Sequence, residues 1–158
     1  MKKWLAATLL VLFTTNASAQ VNEKFADFND EIEMLRALTR VERQQVVTDS
    51  MKLSPQESTK FWPLYREYQA ELTQVNDRVV KIITDFGASY GSMTDARAQT
   101  LLDDFLALQS ETIALRKRYV SRFSKVLPMT KVARFYQIEN KLDTIANLTF
   151  VEQVPLAQ

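Results

Sequence analysis

The sequence contains no cysteine and no histidine, and its 158 residues include only two glycines and four prolines. Without cysteine there is no disulfide, no thiolate metal ligand and no thiol nucleophile. Without histidine the usual imidazole base and the commonest ligand for zinc, copper and nickel are missing too. No charge of one sign dominates, with 20 basic against 19 acidic residues, so nothing global points to nucleic acid as a partner. No apolar run reaches the roughly 20 residues that a membrane-spanning helix needs. No phosphate-cradling glycine loop and no nucleophile–base set can be picked out. The adjacent pair Asp103 and Asp104 does not make a catalytic dyad, because neighbours on a helix point in different directions. The chain reads as no enzyme, and no cofactor is expected.

What is present begins with an export signal. "MKK" is a basic start, "WLAATLLVLF" is a short apolar run, and "TTNASA" ends in Ala17-Ser18-Ala19. Those are the three parts of a secretory signal peptide, with cleavage expected after Ala19. Residues 1–19 are therefore set apart, and a periplasmic location follows as an expectation. Removal of Lys2 and Lys3 leaves 18 basic against 19 acidic residues, a charge too small to give much colloidal protection. The remainder is long enough for one domain with one modest core.

That remainder reads as all-α. Phe61, Tyr65, Tyr68, Leu72, Val75, Val79, Ile82 and Phe86 alternate four and three apart. Leu101, Phe105, Leu108, Thr112, Leu115, Tyr119, Arg122 and Val126 do the same, and this is the heptad period of paired helices. Both glycines, Gly87 and Gly91, lie in "FGASYGSM" between the two series, which reads as the loop of an antiparallel hairpin. Each arm would be roughly 35–45 Å long at 1.5 Å per residue, giving an elongated rod. Ser54, Pro55 and Glu57 form a capping box with proline at the first helical position, and Thr94-Asp95 opens the second arm. Pro128 ends that arm and starts a further helix to about Leu148. A shorter N-terminal helix is marked by Ile32, Leu35, Leu38, Val41 and Val46, with Glu42–Gln45 solvated between them. The expected division is a single helical domain over 20–148 and a flexible tail over 149–158.

Two helix starts are related. With Leu53 aligned to Leu127, Lys60 falls on Arg134, Phe61 on Phe135, Trp62 on Tyr136 and Leu64 on Ile138. Five matches at two helix starts argue for two equivalent corners of one fold. The aromatic pairs suit a core where helices cross. A second reading makes Trp62 or Tyr136, which can leave a polar edge in water, part of an apolar lip for a client. Pro63 removes a helical donor and crowds the carbonyl of Thr59, which predicts a kink that turns 55–61 against the arm. Charge is also clustered. Between residues 111 and 134 seven basic side chains, Arg116, Arg118 and Arg122 among them, face only Glu111. That stretch is either an ordinary solvated helix face or a basic surface for anionic clients or lipid head groups. Arg116, Arg118, Arg122, Trp62 and Tyr136 are the candidate client-binding residues.

"LSPQE" opening a helix, the aromatic pair behind it and the second start "LPMTK" resemble the Spy/CpxP family of periplasmic proteins, over roughly residues 30–148. The resemblance implies an all-helical fold with paired motif helix starts, a thin curved cradle-like homodimer and no catalytic site. It implies ATP-independent binding of unfolded or envelope proteins, or envelope-stress modulation. The absence of histidine sets the chain apart from that family's metal-responsive branch. Apolar residues outside the hairpin seam, including Val80, Ile83, Leu102, Leu106, Ile113 and Val120, need a covering surface, and a second subunit is one source of it. The alternative function is that of a structural adaptor or signalling modulator with one specific envelope partner.

Overall fold

The computed structural model describes residues 41–151. The expected signal segment 1–19, the apolar positions Ile32, Leu35 and Leu38, and residues 152–158 of the expected tail lie outside the described residues. Among the described residues four helices follow one another: α1 over residues 41–51, α2 over Pro55–Ser89, α3 over Asp95–Phe123 and α4 over Met129–Val151. A 3-10 turn, Tyr90–Ser92, links α2 to α3. No strand occurs among the described residues. At 1.5 Å per residue α2 is about 52 Å long and α3 about 43 Å.

The start signals act as the sequence predicts. The Ser54 side chain accepts from the backbone of Glu57 while the Glu57 carboxylate accepts from the backbone of Ser54 at 2.8 Å, and Pro55 occupies the first turn. Thr94 caps α3 by accepting from the backbone of Arg97. Lys52 closes α1 with φ 46°, a left-handed geometry that costs a non-glycine residue about 1 kcal/mol. Its carbonyl accepts from Lys131 Nζ at 3.3 Å, which ties this strained turn to α4.

Three local expectations change, and the bend expected at Pro63 falls inside a helix that continues through it. The glycine-rich loop is mostly helix, since α2 continues through a buried Gly87 to Ser89. Neither glycine uses positive φ, so the reversal needs only the 3-10 turn and the extended residues Met93 and Thr94. Helix α2 also passes through Pro63 without interruption, so 55–61 is the first part of the long arm. In α1 the buried residues are Val47 and Met51, while Val41 and Val46 are exposed. The face that packs is therefore 43, 47 and 51, one turn apart each, and Arg43 belongs to it. At the other end α4 runs to Val151, so residues 149–151 continue the helix where a tail is expected.

The α2–α3 hairpin is antiparallel, and its register is written in ion pairs. Glu67 meets Arg122, Glu71 meets Arg118, and Arg78 meets Glu111. Each step along α2 is matched by an equal step back along α3. The seam keeps the four–three series on α2 but departs from it on α3: Phe61, Tyr65, Tyr68, Leu72 and Val75 are buried against Leu108, Leu115, Tyr119 and Phe123, so Phe123 takes the place expected of Arg122, and Phe105 of the expected series is exposed. Helix α4 adds Val132, Phe135 and Ile138, and α1 adds Val47 and Met51, to one continuous core.

Candidate functional site

The related helix starts meet each other. Phe61 and Phe135 are fully buried with ring centroids 5.5 Å apart, edge to face. Glu57 and Lys131, also at equivalent positions, form an ion pair. Contacts between equivalent residues are the mark of a local two-fold relationship, here within one chain. Leu64 and Ile138 are buried alike, and Lys60 and Arg134 are both exposed. Phe123 completes the cluster, 4.8 Å from Phe135 and 5.5 Å from Phe61. Rings of this kind bury large areas and gain about 0.5–1.5 kcal/mol per pair beyond that burial.

Trp62 and Tyr136 flank this cluster and are half-buried. Trp62 packs edge-on against Phe61 at 5.1 Å and Tyr65 at 5.3 Å. Tyr136 packs against Phe135 at 5.2 Å and donates its hydroxyl to the carbonyl of Arg116 at 3.0 Å. Tyr136 thereby joins α4 to α3, whereas the ring contacts of Trp62 lie within α2, and each keeps part of its surface in solvent. Burial pushes the phenols of Tyr65, Tyr68 and Tyr136 upward, so all three are neutral at physiological pH.

The three candidate arginines do not form a free basic patch. Arg116 pairs with Asp143 of α4, Arg118 with Glu71 and Arg122 with Glu67 of α2. Their segment holds one acid in sequence, but the fold brings three more alongside. Tyr119 shares this cluster: it donates to Glu71 at 2.6 Å, and the Arg122 guanidinium lies 4.7 Å from its ring centre. Burial and the bond to Glu71 push the Tyr119 phenol up to about 12. Arg118 and Arg122 remain substantially exposed, and such pairs contribute at most about 1 kcal/mol each.

The surface with no cover among the described residues is apolar. Leu102, Phe105, Leu106 and Ile113 of α3 are 53%, 39%, 49% and 55% exposed. Leu102, Leu106 and Ile113 recur at helical spacing on one side, so they form a stripe rather than scattered points. Val80, Ile83 and Val120 are half-buried. No group of three or more acidic residues arranged for a metal occurs among the described residues, and none of their helices is long and apolar enough to cross a membrane.

One constellation escapes a sequence reading. Glu139 of α4 is 1% exposed and accepts on Oε2 from Arg43 at 2.9 Å and from Gln69 at 3.1 Å. Arg43 also donates to Asp143 at 2.7 Å, and Asp143 receives Arg116 as well. Burial alone would lower Arg43, but the pull of Glu139 and Asp143 outweighs it and raises the guanidinium. The available signal was Glu139's place in the apolar series Val132, Phe135, Glu139, Leu142. A lone acid at a core position asks for a buried cation.

Compared with known proteins, the chain gives no match to a protein-family model, to a curated protein or to a solved structure.

Proposed function

We propose that this chain is an exported periplasmic protein that binds partly unfolded clients without nucleotide, as a curved homodimer rather than as an enzyme. The observation that carries the reading is the uncovered stripe of Leu102, Leu106 and Ile113, with Phe105 beside it. Exposed apolar side chains on one side of a helix, here interrupted only by Gln109, are what an aggregation-prone chain seeks, and a monomer seldom leaves them open without use. The export signal and the likeness of the two motif helix starts to the Spy/CpxP pattern support the same reading. Arg118 and Arg122 lie on the α2-facing flank of α3, away from the stripe, as a separate partly exposed surface where client carboxylates would compete with Glu67 and Glu71 for them. Trp62 and Tyr136 serve as half-buried edges to the aromatic core.

The decisive experiment is light scattering of a thermally aggregating substrate. A several-fold molar excess of the mature chain is expected to suppress aggregation without nucleotide. The triple variant Leu102→Ser, Leu106→Ser, Ile113→Ser is expected to lose most of that protection while its circular dichroism and thermal midpoint stay close to wild type. A wild-type chain that gives no protection overturns the reading. A single tight partner captured from periplasmic extract would then establish the adaptor alternative.

A further inference from the structure

The cluster around Glu139 does more than fasten helices. Glu139 is a fully buried carboxyl group whose two oxygens live in different surroundings. Oε2 takes both hydrogen bonds, from Arg43 and Gln69. Oε1 is buried and has no hydrogen-bond partner among the protein's atoms. Tyr68 Oη and Arg116 Nε are two further buried polar atoms in that condition, and both residues act electrostatically in one neighbourhood with Glu139. A carboxylate oxygen buried without a donor is costly, whereas a protonated oxygen there carries no charge and turns into a donor. The two donors on Oε2 direct a proton to Oε1.

Every element around Glu139 contributes a charged or titratable group. Helix α1 supplies Arg43, and α2 supplies Tyr65 and Tyr68 beside the neutral amide of Gln69. Helix α3 supplies Arg116, and α4 supplies Asp143 and Tyr136. Asp143 stands one turn beyond Glu139, repels its charge and takes bonds from both arginines. Asp143 pairs with both guanidiniums, so Arg43 has a second carboxylate partner on α4 besides Glu139. The charge on Glu139 is therefore the dispensable one.

We propose that Glu139 is the proton-sensitive element of a latch that holds α1 on α2 and α4, docking α1 more firmly when neutral and loosening it when ionised. Arg43 is the only described residue of α1 that bonds to Glu139, and with Val47 and Met51 it forms the packed face of that helix. Lifting α1 would remove Val47 and Met51 from the core cluster that contains Phe61, Tyr65 and Phe135, so the latch controls access to the aromatic core. Burial raises the Glu139 carboxyl above the usual carboxylate range, and Arg43 only partly offsets this. The sign follows. The docked state holds the proton more tightly than an undocked, solvated state does, so docking gains as pH falls through the raised value and loses that gain as pH rises. This holds whether or not the chain binds clients.

Hydrogen exchange of the whole mature chain, corrected for the intrinsic pH dependence, reads the latch directly. Protection of the α1 amides 41–51, relative to the α2–α3 hairpin, is expected to rise several-fold between pH 8 and pH 5. One proton sets a ceiling of about tenfold per pH unit. Glu139→Gln, a neutral isostere, is expected to hold α1 at the high level at every pH. Unchanged relative protection across the range in the wild type overturns the proposal, and so does a Glu139→Gln variant that keeps the wild-type dependence. Should that variant fail to fold, a carbon-13 NMR titration of the wild-type Glu139 carboxyl decides. A midpoint above the ordinary value of about 4.3 supports the latch, and one at or below it overturns the latch.

Discussion

Phe61 meets Phe135 edge to face, with 5.5 Å between ring centroids, and the two residues hold the same place in the two related helix starts. Glu57 and Lys131 repeat the relationship. The internal repeat is thus a contact, in which each helix start completes the other's core.

Phe135→Ala should be among the most damaging substitutions in the chain. Phe135 is fully buried and touches Phe61, Tyr65, Tyr68, Phe123 and Tyr136, so truncation leaves a cavity that five other rings cannot close. A loss of about 3–5 kcal/mol is expected, read as a fall in the urea midpoint at unchanged slope.

Tyr136→Phe isolates one hydrogen bond. The ring stays in place, but the Arg116 carbonyl loses its extra donor. The expected cost is about 1 kcal/mol by the same denaturation. A neutral result would mean that solvent replaces the hydroxyl at this half-buried edge.

Arg43→Gln and Arg118→Gln separate a buried pair from an exposed one. Arg118 and Glu71 are largely solvated, so losing their pair should cost under about 1 kcal/mol. Removing Arg43 leaves Glu139 buried without its cation, at a cost of about 3 kcal/mol at neutral pH. That cost should shrink in mild acid, where Glu139 takes up a proton. Thermal melts of both variants at two pH values measure the difference.

Ser54→Ala removes the side-chain half of the capping box and should cost about 1 kcal/mol. The other half is pH-dependent. The bond from Lys131, then the Ser54 amide, hold the Glu57 carboxyl below the usual range. Its contribution is complete above the ordinary carboxylate value and is lost as pH falls through the lowered one. Glu57→Gln should therefore flatten the acid limb of a stability–pH curve, opposite in sign to the effect at Glu139.

Pro63→Ala should stabilise the long arm. Helix α2 already runs through Pro63, which is exposed, and alanine returns the donor that the Thr59 carbonyl lacks. A gain of up to about 3 kcal/mol is expected from helix preference, visible as a higher thermal midpoint. A lower midpoint would mean that the proline's local geometry is part of the packing.

The sequence by itself determined what depends on neighbours a few residues apart. The four–three series foretold the buried seam from Phe61 to Val75, and Ser54 and Thr94 foretold where α2 and α3 begin, because heptad faces and caps act within one or two turns. The repeat foretold equivalent corners. Only the tertiary structure decided how distant segments meet. Arg116, Arg118 and Arg122 look like an unopposed basic run along the chain, yet the fold sets Asp143, Glu71 and Glu67 against them. Gly87 looks like a loop residue, yet with no left-handed turn required the helix continues through it. Arg43 looks solvated and Glu139 looks like one more helix acid, until α1 folds back and buries them together. A charge's partner is set by which helices lie side by side, and that is settled by packing the whole core rather than by any local stretch of sequence.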